Sequence, residues 1–266
     1  MKRFQLIEIE DQPWLPNSLR DALTDYLQYI TDKTQPYQPI VPLLENALEQ
    51  NAVRQIIDLC SGGAGPWVSL HSVLRTTPPI KILLTDKFPN RQAFERAKSL
   101  SNGAIDFVAE SVDAADVPNN LDGFRTLFAS FHHFNPRQAR SILNDAVRKN
   151  KGIAIFEATH RSLPAILLMF FIPFAVFIFT PFIRPFRPSR LFWTYLFPLV
   201  PLIVLFDGIV SCLRTYNPSE LESLTAELAS ENEYVWRVGE QKNKNSPLPV
   251  TFLIGYPCAG REDFTG

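Results

Sequence analysis

Two adjacent histidines, His132 and His133, follow an apolar run over residues 124–129, with Ser130 and Phe131 between. A histidine titrates near neutral pH, so it suits taking a proton from a phenol or hydroxyl nucleophile. Neighbouring side chains point in different directions. Alternation from Ser130 sets His132 on the serine's side, which makes His132 the first candidate for a catalytic base and His133 the second. Glu157 and His160, after the apolar run 152–156, are further candidates. Carboxylates recur at equivalent places: Asp58 near the end of run 53–59, Asp86 after run 80–85, and Asp113 shortly after run 105–109. Asp58 leads into a turn of small residues, Cys60-Ser61-Gly62-Gly63-Ala64-Gly65. Such residues let a ligand approach the backbone without meeting a Cβ. Amide N–H groups at a turn of this kind, and at the start of the next helix, can hold a polar or anionic group. A carboxylate at the strand end can accept from a ligand's hydroxyl or ammonium group.

These groups lie far apart in the chain and need a frame that brings them to one edge. The five apolar runs read as strands, and the stretches 91–99 and 137–149 read as helices between them. Strands alternating with helices at this spacing predict βαβ units and a parallel sheet. In an open sheet of that type ligands sit outside the carboxyl ends of the strands. Every polar group named above falls at that edge.

Asp58 with its turn, then Asp86, then Asp113, then Ser130-Phe131-His132-His133, resembles the class I S-adenosylmethionine (SAM) dependent methyltransferases over roughly residues 54–159. The resemblance implies an α/β fold: a Rossmann-like sheet, mostly parallel, with an antiparallel last strand, and SAM as cofactor. It implies that Asp58, Cys60, Ser61, Gly62, Gly63 and Gly65 line the methionine end of SAM. Asp86 would take the two ribose hydroxyls and Phe88 would pack on the adenine. Asp113 would accept from the adenine amino group, Ala114 would supply a backbone amide, and Ser130 and His132 would face the reacting end. The family's turn is acid-x-Gly-x-Gly-x-Gly. Here Cys60 holds the first glycine position, Gly62 the second and Ala64 the third, while Gly63 and Gly65 are extra, so the backbone path is where a departure is expected. A nicotinamide enzyme also places a glycine turn and an acid after its first two strands, but it wants Gly-x-Gly-x-x-Gly. Counted from Gly63, the third glycine position holds Val68, and Pro66 removes an amide.

A chain of 266 residues can bury one sizeable core plus an added piece. A formal net charge of −1 gives no basic footprint for nucleic acid. Three widely spaced cysteines, Cys60, Cys212 and Cys258, point to a reducing compartment. They form no paired-cysteine motif, and no metal is expected. Residues 1–14 have too short an apolar run and too many acids for a secretory signal.

After the fifth strand come two runs without a charged residue, 163–183 and 191–206, separated by a loop carrying Arg184, Arg187 and Arg190. As ideal helices they would reach about 31 Å and about 24 Å at ~1.5 Å per residue. Only the first matches a hydrocarbon core of ~30 Å. Prolines at 164, 173, 181, 198 and 201 predict kinked or broken helices. Three arrangements fit: a transmembrane hairpin, a hairpin dipping into one leaflet with its three arginines among anionic headgroups, or a cap buried on the sheet or on a second copy. So large an apolar surface is rarely left in water, which favours membrane insertion and, of the two membrane forms, the leaflet-dipping one. Asp207, beside the second run, is costly unless paired, and Arg214 is one available partner.

Residues 1–52 read as a helical lid. Leu19, Ala22, Leu23, Tyr26, Leu27 and Ile30 recur at helical spacing. Asn17 or Ser18 can cap that helix with Asp21 in support, and a second helix spans 39–50. Residues 53–162 form the SAM-binding core, 163–206 the apolar insertion, and 207–266 a closing helix from Asn217 to about Ala229. A hairpin of strands 234–240 and 250–256 around a polar loop 241–247 completes the last unit. The expected protein is a SAM-dependent methyltransferase on the cytoplasmic face of a membrane, acting on a hydrophobic small molecule or lipid-like substrate. Two rivals stay open: a soluble homodimeric transferase using the apolar block as its interface, and a non-enzymatic membrane-bound protein that keeps the fold.

Overall fold

The computed structural model of the chain describes residues 1–226, 228, 234–244 and 246–258. Its centre is a seven-stranded sheet in the order β3-β2-β1-β4-β5-β7-β6. Strands β1 (Gln55–Asp58), β2 (Lys81–Leu84), β3 (Ile105–Phe107), β4 (Phe124–Phe128) and β5 (Ile153–Glu157) run parallel. The last two, β6 (Tyr234–Gln241) and β7 (Val250–Pro257), add as an antiparallel pair through β7 against β5. This is the mostly parallel α/β sheet that the strand–helix alternation predicts. Every residue of β4 and β5 is buried, as expected for central strands covered on both faces.

Successive strand residues point to opposite faces, so each strand feeds two cores. Ile56, Ile82 and Phe124 pack under α2 (Val41–Gln50), α3 (Trp67–Leu70) and α4 (Arg91–Leu100). Ile57, Leu127 and Ile155 pack under α5 (Pro136–Arg148) and α10 (Pro218–Ala226). Local chemistry sets several helix starts. Asn90 caps α4 by accepting from Ala93 N–H at 3.2 Å. Asn135 and Gln138 form a reciprocal capping box on α5, with Pro136 in the first turn. Asn217 Oδ1 accepts from Glu220 N–H at 2.8 Å, ahead of α10. Ala229, where that helix was expected to end, and Asn245, within the expected 241–247 loop, lie outside the described residues. Gln241 itself still pairs with Val250 in the sheet.

Two lid expectations need correction. Helix α1 (Asn17–Thr34) follows Pro16 and has no side-chain cap. Ser18 instead accepts from Trp193 Nε1–H at 3.1 Å, and Asp21 pairs with Arg187 at 3.3 Å. The expected 39–50 helix divides into a 3₁₀ turn, Gln38–Ile40, and α2.

The apolar block folds as α6 (Leu163–Met169), α7 (Ile172–Phe179), α8 (Pro188–Leu191) and α9 (Leu199–Arg214). Pro164, Pro173, Pro188 and Pro201 each sit in the first turn of one of these pieces, where a missing N–H costs least. Val176, Ile183, Val200, Ile203 and Val204 pack on Leu15, Leu19, Leu23 and Tyr26 in a third core, so the insertion is mounted on the lid. Its other face is bare: Phe171, Phe174, Ile178 and Leu196 are all more than half exposed. The stretch Leu163–Phe182 is long and apolar enough to cross a membrane, and the Pro188–Leu196 and Leu199–Arg214 pieces meet at a 77° bend.

The three arginines do not all point outward, as the leaflet-dipping arrangement supposed. Arg190 is buried and paired with Asp25 of α1. Arg187 pairs with Asp21 and donates to Gln92 Oε1 of α4 at 3.0 Å. Arg184 is the exposed one. The loop is thereby tied to the lid and to the sheet's own helix layer. The second apolar run also continues through Asp207 to Arg214 as α9, because the Asp207 carboxylate accepts from Ile9 N–H (2.7 Å) and Glu10 N–H (3.0 Å). Arg214 is therefore not its partner.

Candidate active site

Strand β1 ends at Asp58, whose carboxylate is buried among hydroxyls. Oδ1 accepts from Thr126 Oγ1 at 2.6 Å and Oδ2 from Ser61 Oγ at 2.6 Å. Burial pushes its carboxyl up to about 6, against the pull of those hydroxyls. Asp58 thus clamps the turn to β4, leaving the turn's backbone to meet a ligand. Cys60 (φ 56°) and Ala64 (φ 88°) take the left-handed backbone that glycine would take at those two positions. An L side chain there costs about 1–2 kcal/mol, so the turn keeps its shape without the usual glycines. Nothing lies within 4 Å of a Cβ built on Gly62 or Gly65, and both have φ +52°. Burial and the surrounding carboxylates push the Cys60 thiol up, so it stays neutral.

Gly63 faces the other way. A Cβ there would stand 2.9 Å from the γ-methyl of Thr24 on α1. Gly63→Ala is expected to push the lid off the turn and cost about 1–3 kcal/mol, as overpacking does. Thermal unfolding of the variant checks this, and an unchanged midpoint would show that the lid is not seated on the turn.

Asp86 bridges the first two strand ends. Its Oδ2 accepts from Gly62 N–H (2.9 Å) and its Oδ1 from Phe88 N–H (2.8 Å). Each oxygen keeps a lone pair for a diol. Phe88 is 83 % exposed, standing free at the rim. Asp113 pairs with Lys87 at 2.8 Å and accepts from Ala115 N–H at 2.9 Å. The Lys87 ammonium holds its carboxyl below the usual range. Ala114 is buried beside it. Ser130, at the end of β4, is buried with its Oγ unpartnered. An open glycine cradle, a carboxylate with free lone pairs and an orphaned hydroxyl along one edge are features that SAM would fit.

The histidines depart from the expected geometry. Strand β4 stops at Phe128, Ala129 turns left-handed (φ 46°), and Phe131–His133 form a 3₁₀ turn. Alternation from Ser130 therefore does not orient His132. Its ring instead turns inward onto Glu157, the last residue of β5, with Nδ1 2.8 Å from Oε2. The His132 backbone N–H also donates to Glu157 Oε1 at 3.1 Å. Burial works against the Glu157 charge, but the His132 ring and N–H more than offset it and hold the carboxyl below its usual range. An ionised carboxylate only accepts, so Nδ1 carries a hydrogen, and in the neutral ring Nε2 holds the lone pair. His160, the other candidate near β5, lies apart and pairs with Glu240 at 3.0 Å.

What closes the site is the non-helical start of the expected 1–52 lid, in which the sequence marks no functional side chain. Residues 3–12 form a strap across the 3₁₀ turn and α9. Arg3 donates to Phe134 O at 2.9 Å and lies 3.9 Å over the Tyr216 ring. Gln5 donates to His133 O at 3.1 Å. Glu8 is 3 % exposed, with Oε2 3.1 Å from His133 Nδ1. Asp11 approaches the same nitrogen at 2.9 Å. Burial opposes protonation of His133, and these two carboxylates overcome it and raise its pKa. Arg214 of α9 reaches Glu8 at 3.5 Å and donates to His132 O (3.2 Å) and His133 O (2.6 Å). The acids at 8, 10 and 11 carry no periodic or motif signal that would announce this role.

A cavity of about 400 Å³ lies between α1, α4 and the arginine loop, lined by Asp25, Gln28, Gly63, Arg96 and Arg184 among others. Asp58, Asp86, Asp113 and Ser130 do not line it, so it meets the strand-end site only at Gly63 of the turn.

No protein-family model matches the chain, and no curated protein matches it in sequence. Solved structures do match in fold. The plantazolicin methyltransferase BpumL, in complex with SAH, aligns with TM-score 0.57 at 11% identity, over 90% of each chain. An O-methyltransferase family protein from Burkholderia thailandensis aligns with TM-score 0.50 at 19% identity, over 91% of this chain. This chain spans 60% of that protein's length. The methyltransferase domain of bacterial CtHen1 aligns with TM-score 0.50 at 11% identity, over 84% of this chain and 100% of that one. With its strand order and the turn after β1, the chain has the class I methyltransferase fold.

Proposed function

We propose that this chain is a SAM-dependent methyltransferase that works at the cytoplasmic face of a membrane on a hydrophobic small molecule or lipid-like substrate. The observation that carries the reading is helix α9. Its first turns, at Leu199 and Leu202, belong to the bare apolar surface, and its last residue, Arg214, donates to the carbonyls of both histidines. At ~1.5 Å per residue the two ends are about 22 Å apart. A substrate held by the apolar face is therefore within one helix length of the site.

SAM, when bound, supplies an electrophilic methyl group on a sulfonium. The chain's residues would do the rest. The turn 60–65 and Asp86 hold the cofactor, and Asp113 and Ala114 border its adenine end. Ser130 and His132 stand at the reacting end, with His133 beside them. Glu157 fixes the His132 tautomer so that Nε2 presents its lone pair. The strap and α9 exclude water from that nitrogen. The tie of the arginine loop to Asp21, Asp25 and Gln92 supports a hairpin lying in one leaflet, since a spanning hairpin would carry that loop away from the core.

The test supplies SAM labelled on its methyl group to the full chain with vesicles made from a total membrane lipid extract. Label is expected in an organic-extractable product. No transfer, together with a discrete detergent-free dimer that ignores vesicles, would overturn both the activity and the membrane placement.

A further inference from the structure

We infer that Glu8, His132 and His133 form a binding site for one divalent cation of the zinc type, with Glu157 orienting His132. One ligand atom from each of the three lies within 4.8 Å of the other two. His132 Nε2 is 3.7 Å from Glu8 Oε1, and His133 Nδ1 is 3.1 Å from Glu8 Oε2. Ligand bonds of about 2.1 Å in a tetrahedron place neighbouring ligand atoms about 3.4 Å apart, so binding would draw the two rings onto one carboxylate and release His133 Nδ1 from Asp11, now at 2.9 Å.

The second observation is independent of that spacing. His132 is 3 % exposed, yet its Nε2 has no hydrogen-bond partner. A buried ring nitrogen without a partner is costly and calls for an occupant. This one points at the Glu8 carboxylate, which, when ionised, cannot donate to it. The other ring nitrogen donates to Glu157 at 2.8 Å. A ligating histidine is commonly fixed by a carboxylate in this way.

Charge favours the same occupant. Glu8, Asp11 and Glu157 converge on the two rings; Arg214 stands 3.5 Å from Glu8 and 3.7 Å from Asp11, and Arg3 donates to the His132 carbonyl at 3.2 Å. The shortest hydrogen bond from Arg214 goes to the His133 carbonyl, at 2.6 Å. A cation between Glu8 and the imidazoles would take the place of any proton that the converging carboxylates draw to the rings. Two nitrogens and one carboxylate oxygen suit zinc, and three protein ligands leave a fourth position open. Cysteine spacing excludes only cysteine-built metal sites and says nothing about this one.

The site deepens the methyltransferase reading and rests on it only for its use: an oxygen nucleophile in the open position would lose its proton more readily. Metal binding itself needs only the folded chain. The experiment titrates Zn²⁺ into the chelator-stripped full chain by calorimetry and follows Co²⁺ by its visible absorption. SAM binding is measured on the same metal-free sample. One equivalent of Zn²⁺ is expected, with Co²⁺ bands typical of nitrogen ligation. Glu8→Gln and His132→Ala should each weaken binding at least tenfold, and Glu157→Gln by about 10- to 100-fold. A folded parent that takes up no stoichiometric metal overturns the inference, as does metal binding unchanged in both ligand variants. If that parent still binds SAM, the methyltransferase reading survives without the metal; if it binds metal but not SAM, the metal site survives and the methyltransferase reading falls.

Discussion

His132→Ala is expected to lower the turnover rate for methyl transfer by about 100- to 10,000-fold, the range for a lost proton-handling group. SAM affinity should change little, because His132 contacts Glu157 and faces Glu8 rather than the turn or Asp86. The buried ring makes the expectation sharp. Its Nδ1 serves Glu157, so everything the side chain can offer a substrate or an ion passes through Nε2. Glu157→Gln keeps the shape of that contact but lets the ring choose either tautomer, so a smaller loss is expected. Turnover at saturating SAM separates the two effects. A His132→Ala enzyme that turns over like the parent would remove His132 from the site's chemistry, whether as base or as ligand.

The second large effect concerns the membrane. Phe171, Phe174, Ile178 and Leu196 are exposed in water and make up part of the outer face of the insertion. Replacing all four with serine should leave the unfolding midpoint nearly unchanged, since they add little to the third core. Vesicle binding should collapse. At about 1.5 kcal/mol per inserted side chain, the low end for such residues, the four contribute about 6 kcal/mol. A loss of at least ~1000-fold in partitioning follows. Added salt should weaken parent binding only modestly, because Arg187 and Arg190 are already paired with Asp21 and Asp25. Parent and variant that both ignore vesicles in cosedimentation would rule out the membrane face and point to a dimer.

Much of this architecture is legible in the chain, and the illegible parts share one cause. The five parallel strands appear as apolar runs, each followed by a polar residue, because period and burial are local properties. The turn after β1 is readable even with Cys60 and Ala64 in glycine positions, since Asp58 and the run of small residues mark it locally, although both positions carry the cost of a left-handed L residue. The proline breaks in the insertion could be placed for the same reason. What could not be read depends on partners remote in sequence. Asp207 is satisfied by the backbone of Ile9 and Glu10, Arg190 by Asp25, and His133 by Glu8 and Asp11. No pattern within a window of ten or twenty residues encodes those pairs. His132 was misoriented for a local reason: the left-handed residue Ala129 ends the strand one residue early and starts a 3₁₀ turn, which breaks the alternation rule.

The most direct measurement is calorimetric titration of SAM and of S-adenosylhomocysteine into the full chain and into Asp86→Ala. Asp86 ties the glycine turn to the second strand end and keeps lone pairs for a diol. Both ligands should bind the parent at one site, and the variant should lose about 10- to 100-fold in affinity, the worth of hydrogen bonds to a charged group. A folded parent that binds neither ligand would contradict the methyltransferase reading outright.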